Sequence, residues 1–370
     1  MTSSRNTYNR RDFIAKGTFA SLSYLMASHL KIQPALASPL KDVKKCTIPT
    51  LTGMIDCNTL GTTLMHEHVL WFSGPRLDNA GYTPIPDDLR SETVDFAISL
   101  LNDAARVGID TVVDLTPHRP IDLYERIAKG TSVKIVVSTG FYRRAKIPPQ
   151  LADMEDEKQM EELILKEVSE GIGNTKIRAG IIKVAGEGSP LTDWEKKIFR
   201  AAAKVNKVKR VPIATHVGSR EQFDFLVQAG ANPYQLLLSH VDTGRRGRTR
   251  EQLADELLSI AKEGGFLEVD TFGQEFYTPW NDLVFLLRFL CDAGYASRVI
   301  ISIDSNWHWG NGKKVFEGSE EPYFDPHAAN RTFAYMKTDV VPMLLKAGFS
   351  MKEINTFLVD NPRNYFTVDN

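Results

Sequence analysis

Residues 60–69 read Leu-Gly-Thr-Thr-Leu-Met-His-Glu-His-Val. A short apolar run, entered through a glycine and ended by polar groups, has the make-up of a strand buried on both faces. Side chains at i and i+2 of a strand share a side. His66 and His68 therefore point together and can grip one metal ion, while Glu67 faces away. Isolated histidines are more often packing or surface residues, so the weight of this pair depends on what the rest of the chain places beside it.

Outward from this stretch, the same rhythm of apolar strand, loop and amphipathic helix recurs as far as residue 304. Candidate strands end at Met65, Leu115, Ser138, Val184, Thr215, Ser239, Val269 and Ile303, eight in all. The intervening helices carry apolar stripes at 3–4 spacing, such as Val94, Ile98, Leu101 and Ala105, or Leu253, Leu257 and Ile260. Capping boxes stand at Thr192–Glu195 and Ser350–Glu353. Continuous apolar strands alternating with helices predict a parallel sheet covered on both faces. Eight such units closing on themselves make an α/β fold of the (β/α)8, or TIM-barrel, type, preceded by a short N-terminal β-hairpin. A doubly wound open sheet is the alternative, but no glycine-rich nucleotide fingerprint follows the first strand.

The first residues read differently. Asn9-Arg10-Arg11-Asp12-Phe13-Ile14 is a twin-arginine pattern, followed by an apolar, small-residue stretch from Gly17 to Ala27 and then Ala35-Leu36-Ala37. That order is an export signal, with residues 1–37 as signal peptide and cleavage expected after Ala37. An amphipathic helix or a membrane anchor is the other reading, but the apolar stretch is short for a bilayer span and carries several hydroxyls. Export through the twin-arginine machinery to the periplasm or beyond is the expectation, with residues 38–370 as one barrel domain. A net charge of −1 points to neither nucleic acid nor an anionic membrane surface. Three cysteines make no disulfide framework. Cys46 and Cys57 flank the hairpin and either pair in an oxidising compartment or stay as thiols. Cys291 sits in an apolar helical run and is expected in the core.

In barrels of this kind, functional residues occupy the C-terminal ends of the strands. His66 and His68 end the first strand, Lys183 the fourth, His216 the fifth, His240 the sixth and Asp304 the eighth. The chain has 8 histidines, and four of them fall at these ends, which chance placement does not explain. Neutral imidazoles with a carboxylate suit two divalent cations, zinc above all. Lys183, between Ile182 and Val184, would lose its charge rather than stay buried as an ammonium. An ion pair with Glu187 or another nearby acid is one account of it. The other is a neutral amine that reacts with carbon dioxide and becomes an anionic carbamate bridging two cations. Asp304 can ligate a metal and also accept a proton.

With these residues in place, the chain resembles the phosphotriesterase-like family of the amidohydrolase superfamily. The likeness begins at Thr52-Gly53-Met54-Ile55, runs through LGTTLMHEHV, STGFY, AGIIKVA, ATHV, LLSHVD and IISID, and ends at Asn361-Pro362-Arg363-Asn364-Tyr365-Phe366. It implies that His66, His68 and Asp304 hold the more buried metal and His216 and His240 the more exposed one. N-carboxylated Lys183 would bridge them together with a hydroxide, which Asp304 orients and relieves of its proton. It further implies hydrolysis of an ester-type bond, a carboxylic ester or lactone first and a phosphotriester second, with no organic cofactor. Tyr142 matches a tyrosine that lactonase-type relatives place near the bridging oxygen, where triester specialists carry a tryptophan.

Two stretches depart from the lactonase pattern. Thr271 stands in place of an arginine after strand 7, and Pro117-His118-Arg119-Pro120-Ile121-Asp122 replaces a Gly-Arg-Asp after strand 2. His118 is either a substrate contact or, as loop histidines more often are, solvated. The loop from Ser305 to about Asn330 has no strand or helix signal and holds Trp307, His308, Trp309, Phe316, Tyr323, Phe324 and His327. It reads as the wall of an apolar leaving-group pocket, joined by Trp71 and Phe72, or as a contact in the expected homodimer. A non-catalytic metal-binding barrel and a C–N hydrolase of the same superfamily are the rival functions.

Overall fold

The computed structural model describes residues 46–70, 85–186, 189–243, 247–310, 313–317, 319 and 331–367. Residues 1–37, read above as the signal, lie outside the described residues. The chain enters through an antiparallel hairpin of β1 (Thr47–Thr50) and β2 (Gly53–Asp56). A Cys46–Cys57 disulfide joins its two ends, so of the two alternatives the structure holds the paired one.

Eight parallel strands follow in sequential order: β3 (Thr63–Glu67), β4 (Thr111–Asp114), β5 (Lys134–Phe141), β6 (Ile181–Ala185), β7 (Ile213–His216), β8 (Leu236–Leu238), β9 (Phe266–Val269) and β10 (Val299–Ile301). The main helices between them are α1 (Arg90–Arg106), α2 (Ile121–Ala128), α3 (Pro149–Ala152), α4 (Glu157–Ser169), α5 (Asp193–Lys209), α6 (Arg220–Gln228), α7 (Arg250–Lys262) and α8 (Trp280–Asp292). The sheet curls until first and last strands meet, where Asp304 N donates to His66 O at 3.1 Å and His68 N to Ser305 O at 3.0 Å. These are the expected barrel and hairpin.

Two apolar layers hold the barrel together. Inside it, Met65, Val113, Leu115, Val136, Ile181, Ala214, Leu237, Phe266 and Ile300 interlock, and Tyr365 and Phe366 close the N-terminal end with Ile48, Cys57 and Leu60. Between strands and helices, residues such as Val112, Val137, Phe141, Ile198, Leu226, Leu257 and Leu287 form the outer layer. The alternation of sides along each strand produces this division. Cys291 is half-buried and packs against the edge of that layer.

The strands end within three residues of the expected positions. The largest departure is β5, which runs on to Phe141. Gly140 makes the extension possible: at φ 113°, a Cβ there would meet the Lys183 carbonyl oxygen at 2.1 Å. Both expected capping boxes are present, and Thr249–Gln252 forms a further one at the start of α7.

The segment after β10 corrects the expectation of an irregular aromatic loop. β11 (Trp307–Gly310) pairs antiparallel with β12 (Lys313–Phe316). Trp307 and Trp309 are buried, their indole N–H groups donating to Val69 O at 3.1 Å and Thr93 Oγ1 at 3.0 Å. Paired indoles of this size are core rather than a free pocket wall, because burial with a satisfied N–H leaves nothing for a ligand. Trp71, Phe72, Tyr323, Phe324 and His327 lie outside the described residues. Among the described residues, no helix is long and apolar enough to cross a membrane.

Candidate metal centre

Every residue singled out for metal chemistry meets at the C-terminal mouth of the barrel. Lys183 Nζ lies 3.2 Å from His66 Nε2 and 3.0 Å from the Thr215 carbonyl oxygen. Asp304 Oδ1 stands 3.1 Å from His68 Nε2 and 3.7 Å from His66 Nε2. Across the mouth, the ring centres of His66 and His240 are 4.5 Å apart, and those of His216 and His240 are 4.8 Å apart. The Tyr142 hydroxyl reaches His216 Nε2 at 3.2 Å.

The far nitrogens of three rings are pinned. His66 Nδ1 faces Asp270 Oδ2 at 2.9 Å and Glu268 Oε2 at 3.0 Å. His240 Nδ1 faces Asp270 Oδ1 at 2.8 Å, and His68 Nδ1 faces Thr116 Oγ1 at 2.7 Å. A ring nitrogen that faces a carboxylate carries the proton, which leaves the other nitrogen as the lone-pair atom. Asp270 thus orients one ring from each expected ligand set. Carboxylate support of this kind both fixes a histidine and raises its basicity toward a metal.

The electrostatics of the three rings His66, His216 and His240 favour their neutral form. Burial, with Lys183 next in effect, pushes His66 well below the usual imidazole range. Burial and the neighbouring His240 do the same to His216, and burial also lowers His240. Neutral imidazole is the form that ligates metal. Burial brings Lys183 down to about 8. Burial works against the Asp304 carboxylate, but His240 and His68 outweigh it and hold Asp304 below the ordinary range. Burial pushes both Glu268 and Asp270 well above that range.

These residues fit a divalent cation. The ligand atoms of His66, His68 and Asp304 all lie within 4.8 Å of one another. Asp304 Oδ1 is buried, with His68 Nε2 as its near neighbour. Ligand atoms gathered this closely can hold one cation between them.

Other expectations change. His118 is half-buried rather than fully solvated: it packs edge-on against Phe141 with ring centres 5.9 Å apart, and burial lowers it to about 3. Thr271, in place of the arginine, turns inward and donates to Asp242 Oδ2 from both Oγ1, at 2.5 Å, and its backbone N, at 3.0 Å. Glu187 lies outside the described residues. Glu268 and Asp270 were legible and missed. Two acids at i and i+2 on an apolar barrel strand obey the same rule that singled out His66 and His68.

Comparison with known proteins gives one consistent result. The Phosphotriesterase family pattern matches residues 46–366. A "Phosphotriesterase homology protein" of Mycobacterium tuberculosis is 30% identical over 331 residues, covering 86% of this chain and 96% of the relative. An "Aryldialkylphosphatase" of Saccharolobus solfataricus is 28% identical over 331 residues, covering 85% and 97%. Among solved structures, a mutant of a Deinococcus radiodurans PTE-like lactonase superposes with a TM-score of 0.72 at 29% identity, covering 86% of this chain and 100% of that one.

Proposed function

The chain belongs to the Phosphotriesterase family of metal-dependent hydrolases acting on ester bonds, and from that premise we propose that it cleaves a carboxylic ester or lactone as its main activity, with phosphotriesters as promiscuous substrates. The observation that carries this reading is the inward set of Nε2 atoms around Lys183 and Asp304, with their far nitrogens pinned by Asp270, Glu268 and Thr116. A structural metal site needs neither a spare carboxylate oxygen nor a buried lysine.

In this reading His66, His68 and Asp304 would hold one divalent ion and His216 and His240 the other, zinc being the ion that suits imidazole and carboxylate ligands best. Lys183 would help hold them as an N-carboxylate, formed when its neutral amine bonds to the carbon of carbon dioxide and gives up a proton. When bound, the ions polarise the scissile oxygen and lower the pKa of water. Asp304 takes the proton of the attacking water and passes it outward. Tyr142 holds a hydroxyl at the edge of the site beside His216, positioned to donate to the substrate oxygen. Burial keeps that hydroxyl protonated, its pKa raised well above the phenolic range.

We further propose that residues 1–37 direct export of the folded protein through the twin-arginine route and that the mature barrel works as a homodimer. Changing Arg10→Lys and Arg11→Lys together should abolish appearance in the periplasm, and sizing of purified protein should give twice the chain mass.

The deciding experiment is elemental analysis of metal per chain, paired with hydrolysis of an aryl ester, two lactones, an aryl phosphotriester and an N-acyl amide. Two metals with preferred turnover of an ester or lactone are expected. Preference for the triester promotes the second reading, for which Thr271 in place of the lactonase arginine is the motive. A preference for the amide would overturn ester specificity, and protein that holds no metal would overturn the whole proposal. Lys183→Ala should lose metal and turnover together, with partial rescue by short carboxylic acids.

A further inference from the structure

Resting on Asp304 as ligand and proton acceptor, we infer that Glu67 and Arg331 are positioning residues: they clamp the Ile303–Asp304–Ser305 backbone from opposite sides and so aim the Asp304 carboxylate. Neither side chain belongs to the ligand set, and Arg331 lies well beyond the last barrel strand in sequence.

The backbone of Asp304 needs such a clamp. Its φ is 48°, in the left-handed region. A non-glycine residue is disfavoured there, because its Cβ crowds the following carbonyl. Such a conformation persists only where the surroundings over-determine it. The surroundings here are two buried side chains that take up Ile303 N, Ile303 O, Asp304 O and Ser305 N, while Asp304 N and Ser305 O pair with the backbone of His66 and His68.

On one side is Glu67, which points away from the metal as its place between His66 and His68 requires. Its Oε1 accepts from Ser302 Oγ at 2.7 Å and Ile303 N at 3.2 Å, and its Oε2 accepts from Ser305 N at 2.7 Å. On the other side is Arg331, only 1% exposed. Its Nη2 donates to Ile303 O at 2.7 Å and to Asp304 O at 2.5 Å. Donors on one flank and acceptors on the other leave the segment no second way to satisfy its hydrogen bonds.

Arg331 is itself braced. The Ser305 hydroxyl donates to its carbonyl oxygen at 2.7 Å. With its amide oxygen turned to the guanidinium, Gln274 accepts from Nη2 at 2.8 Å. Gly273 (φ 76°) leaves room for the arginine stem, since a Cβ there would sit 3.0 Å from Arg331 Cδ. The planar fork of arginine serves three acceptors at once, which a lysine ammonium on a flexible stem does not reproduce.

The test uses zinc-loaded Glu67→Gln, Arg331→Lys and the double variant. The readouts are crystal structures, zinc retention against a chelator, kcat and KM on the best panel substrate, and thermal melting. Each single variant should move the Asp304 backbone out of the left-handed region, weaken retention of one of the two ions, and lower kcat about 10- to 100-fold with KM within about threefold. Because both residues act on one peptide, the double variant should lose less than the product of the single effects. Asp304 unmoved in both single variants, or kcat per folded molecule equal to wild type, would overturn the clamp. Fully multiplicative losses would also overturn it. If wild-type protein turns over nothing on the panel, the hydrolase reading fails separately, and the crystallographic position of Asp304 still decides the clamp.

Discussion

The same eight strands build two very different interiors within a few residues of each other. Toward their N-terminal ends, Met65, Val113, Val136, Ile181, Leu237, Phe266 and Ile300 make a dry apolar plug. Toward their C-terminal ends stand four histidines, Lys183, Glu268, Asp270 and Asp304, almost all buried. The first layer gains free energy simply by leaving water. The second loses it, because buried ionisable groups forfeit hydration and are compensated only by one another or by cations. Of the four non-glycine residues with left-handed backbone among the described residues, Val217, His240 and Asp304 stand at the costly end, while Arg210 caps α5 before β7. The plug specifies the fold and leaves a stability margin in which the mouth can hold groups that would not choose each other's company.

If the two layers divide the work in this way, changes in each should register on different instruments. The largest effect is expected from Asp304→Asn, which keeps the shape but removes the proton acceptor: turnover should fall about 10²- to 10⁴-fold while much of the metal is retained. Undiminished turnover, measured on metal-loaded protein, would remove Asp304 from its role. Leu237→Ala in the plug should instead cost about 2–5 kcal/mol of stability in denaturant unfolding, with kcat per folded molecule unchanged. A large drop in kcat there would show that the layers are not separable. Asp270→Asn, which disturbs one ring of each ligand set, should weaken metal binding about 10- to 100-fold in chelator competition. Equal losses for both ions would confirm that one carboxylate serves both sets. The smallest effect belongs to neither layer: Thr192→Ala at the start of α5 removes a capping box and should lower stability by about 1 kcal/mol in the same unfolding assay, with activity untouched.

The two layers were also unequally legible. The plug follows from local pattern alone, since apolar runs of strand length with helices between them specify a barrel whatever their partners. The ligands were legible because histidine, lysine and aspartate at strand ends are out of place in an apolar run. What escaped was whatever depends on closure. The left-handed backbone of Asp304 and His240 arises from the neighbours that the closed barrel brings to them, not from the residues beside them in the chain. His118 sits in a loop by sequence, but the barrel packs it under Phe141. Trp307 and Trp309 looked like pocket wall because nothing local announced that a hairpin would turn them into the core.

The hydrogen bonds that close the barrel, from Asp304 N to His66 O and from His68 N to Ser305 O, involve all three residues proposed to hold one ion. The segments joined at this seam lie far apart along the chain: 236 residues separate His66 from Ser302, whose hydroxyl accepts from the His66 amide. Contacts of such long range are completed late, since the loop between them must first be ordered. The metal site would then act as a completion mark: a chain cut short before β10 would own every other ligand and still lack the pair that locks the ring. A truncation series followed by zinc binding would show whether affinity rises gradually with length or appears only when the last strand is in place.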